Sequence, residues 1–419
     1  MTPAYVAEAI SAEPQLASSQ SAAGTRLRLA FIIDVIQDWQ AGGTEQQIVR
    51  LLKSLDARFF DPVVYVLQPS EALQKKAVDC PVILVGAPEK SKRSRLRLLL
   101  GLARAIRSFR PHIVQTFFID GTFYGTLAAK LAAVPVVVQS RRNAGYWQKS
   151  YHTAVLRVLN HLVDGWQCNS HHVADALIGG EHVDAGKVAI LPNSIDLSCF
   201  VPPDAGQRAA AREKLGISQT APVFVAVANL RPIKRLSTVM EAAAVVHAAL
   251  PEARFLILGE GNERAGLTKQ IEQLQLEGVV RLEGAQQDVR PWLRAADVGL
   301  LTSESESSSN AVVEYMAMGL PTVLSDIPAN RELVEGLFFA VGDARQLAEK
   351  LLWLWERPGL RQAMSARNLK AVQAFDAKSV THEAERYYWQ LACAKIPGFR
   401  DIIQSPNFTH QLGSSSTAS

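Results

Sequence analysis

Residues 298–324 read VGLLTSESESSSNAVVEYMAMGLPTVL. Two uncharged apolar runs, 298–301 and 321–324, bracket a polar loop and a stretch over 310–318 with apolar side chains at helical spacing. Neither run alternates apolar with polar. Each therefore predicts a strand buried on both faces, and such strands belong to parallel sheets covered by helices. Strand, helix and strand in so short a space form the repeating unit of that architecture.

Outward from this unit the pattern repeats. Upstream in the same half, strands are expected over 223–228, 254–258 and 279–282, with helices over 236–250, 268–276 and 289–294. The first half reads the same way, with strands over 27–36, 62–67, 82–85, 112–117 and 135–139 and helices over 44–55 and 96–109. A break spans 192–203, with Pro192, Pro202 and Pro203. The reading is an α/β protein of two Rossmann-like, doubly wound parallel-sheet domains facing a cleft, with ligands at the carboxyl ends of the strands. The expected domains are 26–195 and 196–376, followed by a helix over 377–404 that crosses back to the first. Residues 1–25 and 405–419 are expected as disordered tails, rich in Ala, Ser, Gln and Thr.

Composition agrees and excludes other classes. A chain of 419 residues is long enough for two or three domains at roughly 150 residues each. Its 44 basic and 40 acidic residues leave a net charge of +4, too balanced to argue for nucleic acid. Cys80, Cys168, Cys199 and Cys393 are far apart and contain no C-x-x-C pair, which favours a reducing compartment over a disulfide framework or a cysteine zinc site. The amino terminus carries Glu8 and Glu13 with no basic start and apolar core, and no apolar run reaches membrane-span length. The expectation is a cytoplasmic protein, peripheral at most on the inner face of a membrane.

Four stretches carry chemistry. In the first, Gly42 and Gly43 precede a helix whose Thr44 and Gln47 read as a capping box; glycines there let backbone amides approach an anion. A plain strand-to-helix turn explains them equally. The second, residues 230–235, places Arg231, Lys234 and Arg235 at the carboxyl end of a strand, where a guanidinium fork and a compact ammonium suit a diphosphate or merely a solvated turn. The third, GEGNER at 259–264, resembles a nucleotide-binding glycine turn without its third glycine. The fourth is the loop of the opening stretch. Backbone amides of Ser307, Ser308, Ser309, Asn310 and Ala311, at a helix start, suit hydroxyl or phosphate oxygens. Glu306 in the loop and Glu314 in the helix are carboxylates able to accept hydrogen bonds from a vicinal diol such as ribose. The competing reading is a flexible Ser-rich loop with solvated acids.

Taken in order, these stretches resemble glycosyltransferase family 4, nucleotide-sugar enzymes of the GT-B fold. The likeness rests on Glu306-x-x-x-Asn310-x-x-x-Glu314 with the Met318-Gly319-Leu320-Pro321 ending, on DVRPWLRAADVGLL at 288–301, on GEGNER, on Leu191 to Asp196 with Phe200, and on the early GGTE. The resemblance implies that Gly42 and Gly43 contact the donor diphosphate and that Lys234 neutralises the leaving diphosphate. It also implies that Glu306 lies near the donor sugar, with the amides of 307–311 on its hydroxyls, and that Glu314 holds the nucleotide ribose. It further implies a retaining hexosyltransferase that needs no metal or other cofactor. The donor is expected to be UDP-linked and the acceptor a glycan or a polyprenyl- or other lipid-linked saccharide of cell-surface polysaccharide or glycolipid synthesis.

Three departures bear on this. The usual Gly-Phe after the first Glu is Ser307-Ser308. The family Arg falls on Asn229, with Arg231 two places on as its expected substitute. The family His aligns with Arg141, so Arg141 and Arg142 are candidates for donor-sugar or acceptor contact, or else surface charges. The alternatives kept are another GT-B activity such as a nucleotide-sugar epimerase, and a non-catalytic sugar-binding scaffold, which the Ser-Ser departure brings into view. A phosphorylase is disfavoured, because no Lys stands in a pyridoxal phosphate context.

Residues 90–119 contain no acid but carry Lys90, Lys92, Arg93, Arg95, Arg97, Arg104, Arg107 and Arg110. A basic outer face over 90–110 suits anionic lipid headgroups, with Tyr146, Trp147 and Tyr151 as interfacial aromatics; a merely solvated face is the alternative. The final helix, with Tyr387, Tyr388 and Trp389, reads either as a hinge element or as packing.

Overall fold

The computed structural model describes residues 26–37, 39, 43–86, 92–143, 145 and 150–399. Both expected tails, Gly42, Lys90, Tyr146 and Trp147 lie outside these, as do the side chains of Lys92 and Tyr151. The chain divides into two compact units. One comprises Met1–Cys168, Val173–Leu191 and Thr381–Ser419; the other comprises Asn169–His172 and Pro192–Val380.

The first unit is built on a seven-stranded sheet. Its strands are β1 (Leu27–Ile33), β2 (Phe60–Val66), β3 (Val82–Leu84), β4 (Ile113–Thr116), β5 (Val136–Arg141), β6 (Gly165–Cys168) and β7 (Val188–Ile190). All pair in parallel, in the order β3-β2-β1-β4-β5-β6-β7. The helix Gly43–Ser54 follows β1 and already includes Gly43, so Thr44 sits inside its first turn instead of at the expected capping position. β1 stops short of the expected 36 because Asp34 leaves the strand to accept hydrogen bonds from the amides of Asp120, at 3.0 Å, and Gly121. Burial raises the Asp34 carboxyl to about 7, against the pull of those amides.

The helix Ile119–Leu131 can approach β1 only through glycine. A Cβ on Gly121 would lie 2.8 Å from Asp34 Oδ1, and one on Gly125 would lie 2.8 Å from Thr116 Cγ2. Its buried residues include Thr122, Tyr124, Thr126 and Ala128 and show no amphipathic stripe, which is why spacing did not reveal it. From Thr381 onward the terminal helix Ala377–Lys395 belongs to this unit. Tyr388 and Trp389 pack in one core with Leu27, Phe31 and Phe60. The Tyr388 hydroxyl donates to Gln115 Oε1, and Gln115 Nε2 donates to Ser140 Oγ at 2.5 Å, carrying a buried polar chain from β4 to β5.

The second unit holds a six-stranded parallel sheet. Its strands are β8 (Val223–Val227), β9 (Arg254–Leu258), β10 (Val280–Gly284), β11 (Val298–Leu301), β12 (Thr322–Ser325) and β13 (Leu337–Phe339), in the order β10-β9-β8-β11-β12-β13. Arg212 is fully buried at the amino edge. It donates to Asp297 Oδ2 at 2.8 Å and to the carbonyls of Ala295, Gln219 and Ala221, while the same carboxylate oxygen accepts the Val223 amide. With the amino edge fixed this way, the carboxyl edge is left for loops.

Both sheets wind outward in opposite directions from one point, between β1 and β4 in the first and between β8 and β11 in the second. Loops leaving adjacent strands diverge at such a point, and ligands of open α/β sheets bind in the crevice between them. In the second unit the loop after β8 is shaped by two glycines. Gly259 has φ 143°, and a Cβ there would lie 2.0 Å from the Ala228 carbonyl oxygen; on Gly261 it would lie 2.3 Å from that of Leu230. The Leu230 amide donates to Glu260 O at 2.9 Å and the Glu263 amide to Leu230 O at 3.0 Å. The glycine turn at 259–261 thus cradles protein backbone. Gly299 plays a matching part on β11, where a Cβ would meet the Tyr315 ring at 2.4 Å. The Tyr315 hydroxyl accepts the Val227 amide at 2.7 Å and donates to Leu300 O at 3.3 Å, pinning the helix Asn310–Ala317 to both strand ends. Among the described residues no helix is long and apolar enough to cross a membrane.

Two outcomes follow. Gly259→Ala should destabilise the second unit by at least about 2 kcal/mol, since it combines a positive φ with a backbone clash; a melting midpoint within one degree of wild type would refute the cradle. Asp34 binds a proton in the folded chain at pH values where the unfolded chain has released it, so its contribution to stability is full in acid. That contribution is lost as pH rises from about 4 through about 7. The stability of Asp34→Asn relative to wild type should therefore climb over that window, by no more than about 1.4 kcal/mol per pH unit. Urea unfolding at stepped pH reads the difference, and a flat profile would exclude the buried acid.

Candidate active site

The site is assembled from the loops on either side of the switch point in the second sheet. After β8 the chain passes the buried Leu230 and the exposed Arg231, makes a short 3₁₀ turn at Pro232–Lys234, and exits through Arg235 at φ 46°, ψ 44°. After β11, Thr302 Oγ1 donates to the Lys234 carbonyl at 2.7 Å and the Glu304 amide donates to that of Ile233 at 2.9 Å. The two loops are therefore joined by backbone before any charge is considered.

On that frame Lys234 Nζ lies 2.5 Å from Glu306 Oε1, and Ser303 Oγ donates to the same oxygen at 2.6 Å. Lys234 is 21% exposed and Glu306 12%, so this is a charge-assisted contact with most of its water removed. A second pair, Arg235 with Glu304 at 3.3 Å, lies at the surface.

Ser309 caps the helix Asn310–Ala317, its hydroxyl accepting from the Val312 amide at 3.4 Å. Glu314 is buried on that helix. Gly319, at φ 67°, closes the helix end, and the Leu320 amide donates back to Tyr315 O at 2.8 Å, as a left-handed cap requires. The loop between has a partner that residue chemistry did not single out. Asn193 Nδ2 donates to Ser308 O at 2.9 Å and to Asn310 Oδ1 at 2.7 Å. The only signal for it was its place in the Leu191 to Asp196 stretch.

The structure thus gathers Lys234, Glu306 and the loop 303–309 at one strand edge, with Glu314 on the helix that follows. The remaining candidates lie in the first unit. Gly43 opens its helix and is exposed. Arg141 ends β5 and is not a surface charge: its Nη2 lies 2.7 Å from Glu181 Oε2, with side chains 12% and 5% exposed, and burial lowers its pKa. Arg142 is held down to about 10 by burial, with the charge of Glu45 acting the other way, and it stays protonated at neutral pH.

Known families and solved structures resemble this chain over most of its length. Residues 41–198 match the family model described as Glycosyltransferase Family 4, and residues 221–357 match the one described as Glycosyl transferases group 1. D-inositol 3-phosphate glycosyltransferase of Thermobispora bispora is 24% identical, over 90% of this chain and 94% of that one. UDP-Gal:alpha-D-GlcNAc-diphosphoundecaprenol alpha-1,3-galactosyltransferase of Escherichia coli is 28% identical, over 58% of this chain and 65% of that one. Among solved structures, Anabaena HepE in complex with UDP and glucose superposes with a TM-score of 0.75 at 20% identity, covering 86% of this chain and 99% of that one, a likeness of fold. With both halves matched in order, the chain belongs to the group 1/family 4 glycosyltransferases and is a glycosyltransferase of the GT-B fold.

Proposed function

We propose that this enzyme moves a hexose from a UDP-linked donor, with retention of configuration and without a metal, to a glycan or lipid-linked saccharide acceptor in cell-surface glycan synthesis. The observation that supports it most is the Lys234–Glu306 contact at the switch point of the second sheet. A leaving UDP gains negative charge on its β-phosphate as the glycosidic bond breaks. Lys234, with Arg231 at the exposed end of the same turn, supplies compensating positive charge. Such groups act strongly because the protein has already oriented them.

In this reading Glu306, positioned by Ser303 and Lys234, faces the donor sugar. The amides of 307–311 hold its hydroxyls, and Glu314 accepts from the ribose. Gly42 and Gly43 are assigned to the donor diphosphate from the first unit. The acceptor hydroxyl attacks from the side the phosphate leaves, and a phosphate oxygen takes its proton. The relatives support the donor and acceptor classes: the E. coli galactosyltransferase carries UDP-galactose and a diphosphoundecaprenol acceptor in its name, and HepE was solved with UDP.

The acceptor's lipid half motivates a further proposal, that helix Lys92–Phe109 docks on an anionic bilayer. Leu98, Leu102 and Ile106 are buried, whereas Arg93, Leu96, Arg97, Leu100, Arg104 and Arg107 are exposed along a single stripe. Leu96 is 56% and Leu100 39% exposed among these arginines, the composition of a face that rests in headgroups.

Two measurements test these readings. Lys234→Ala and Glu306→Gln should each lower UDP release from the preferred UDP-hexose by about 100-fold or more, with unchanged circular dichroism; rates within threefold of wild type in both would remove the site assignment. The wild-type protein should sediment with phosphatidylglycerol vesicles at low salt and be released at high salt. Replacing Arg93, Arg97 and Arg104 by Ala should weaken that binding by about 100-fold, at about 1 kcal/mol per cation. Absence of sedimentation at low ionic strength would end the membrane proposal.

A further inference from the structure

The first sheet has a crevice of its own. It opens at the carboxyl ends of β4 and β5, beside the point where that sheet changes winding direction, and Thr44, Phe118, Thr122, Ser140, Arg141 and Arg142 line it. Ligands collect at such a point for the reason given above.

Three observations say what it would take. First, two guanidiniums reach its wall, and one is incompletely used. Arg141 gives Nη2 to Glu181, but its Nε is buried with no hydrogen-bond partner. Buried donors are rarely left unmatched in a folded protein, and a charged one carries a larger penalty than a neutral one. Second, Phe118 at the rim is held at φ 57°, ψ −174°, a backbone region almost reserved for glycine, and its side chain is 37% exposed. Strain of this kind persists where the surroundings enforce it, and such places are commonly ligand sites. Third, a second pocket shares Arg141 and Asn143 with the first, and its wall also includes Thr153, Val173, Leu177 and Glu181. Arg141 therefore stands between two pockets, with its counter-ion Glu181 on the wall of the second. The helix Ile119–Leu131 supplies less than its position suggests, because Asp34 already takes the amides of Asp120 and Gly121. Donors for a ligand come from the arginines and from Thr44 and Thr122.

We infer that this crevice is an acceptor subsite selecting a phosphate-bearing acceptor, with Arg142 and the Arg141 Nε donating to the phosphate oxygens. This rests on the glycosyltransferase reading above and deepens it. The arginines act here as specificity groups on the acceptor; the donor diphosphate is assigned to Lys234 and Arg231 in the other unit and to Gly42 and Gly43, not to these arginines. The role of the sequence-aligned Arg141 is thus fixed less by the alignment than by its unmatched donor.

The test uses the full chain saturated with UDP, so that the donor site is filled, and titrates inorganic phosphate while hydrogen exchange is followed by mass spectrometry. Phosphate should slow exchange in the peptides spanning 117–123 and 140–143. Arg142→Gln should weaken that protection at least tenfold while UDP affinity stays within twofold of wild type. Arg141→Lys, which keeps a cation for Glu181 but lacks Nε, should weaken it severalfold and serves if Arg142→Gln fails to fold. Lys234→Ala should show the reverse, with weakened UDP binding and phosphate protection kept. Absent protection, or phosphate affinity unchanged from wild type in both arginine variants, would overturn the inference. Loss of UDP binding in Arg142→Gln would also overturn it, by moving Arg142 to the donor, and protection by acetate in place of phosphate would overturn the phosphate assignment. A wild-type protein that binds no UDP would defeat the functional proposal instead, whatever phosphate does.

Discussion

Two absent β-carbons hold the loop that carries Lys234. With hydrogen alone on Gly259 and Gly261, the backbone of 228–230 settles close against the turn after β9 and exchanges hydrogen bonds with it. Leu230 is buried as a result, and the next residues are thrown out over the carboxyl edge. The loop after β11 then ties itself to Ile233 and Lys234 through main-chain carbonyls. An ammonium group is a compact charge, but its flexible four-carbon stem normally loses much rotamer entropy on binding. Here its root is fixed on three sides, and its tip is met by Glu306. Catalysis by oriented charge needs that order of events, with the geometry settled during folding and not during the reaction.

Much of this fold was legible because parallel strands advertise themselves. Residues 255–258, after Arg254, and 298–301 are apolar without alternation, and the strands they mark appear as β9 and β11 at the expected bounds. What escaped had no such signature. The helix Ile119–Leu131 is buried around most of its circumference, so its glycines and threonines mimic a loop or an apolar run. β7 and β13 are three residues each, too short for a period to be counted. Within the site, the Lys234–Glu306 approach follows from chain order once two strands are known to flank a switch point. The partners of Arg141 and Ser308 do not, because Glu181 and Asn193 are brought to them by the tertiary fold and nothing local announces it. The GEGNER stretch was the opposite case: its glycines were visible, but their purpose, to admit another loop, was not.

The charges around these loops are arranged in compensated pairs. Lys234 has Glu306, Arg235 has Glu304 and Arg141 has Glu181. A buried ion left alone is far costlier than one with a partner, so the empty protein has reason to hold its cations this way. In the proposed reading an arriving diphosphate changes the balance, because it offers Lys234 an acceptor of higher charge. Glu306, which already accepts from the Ser303 hydroxyl, would then have lone pairs left for whatever lies beside the phosphate. In the proposed reading that neighbour is the sugar, so one carboxylate serves the resting protein as a counter-ion and the loaded one as a contact.

The Ser307-Ser308 pair is the point at which the loop departs most from its relatives' pattern, and the question is whether it marks a decayed site. A loop that has lost a packed aromatic and a free glycine should have lost its definition unless something else supplies it. Asn193 does, gripping the Ser308 carbonyl and Asn310 from outside the loop, while Ser309 closes the helix end. The hydroxyl of Ser308 is nevertheless buried without a hydrogen-bond partner. An unmatched buried hydroxyl costs on the order of 1–3 kcal/mol. In the proposed reading a sugar hydroxyl held by the amides of 307–311 accepts from this group in the loaded enzyme.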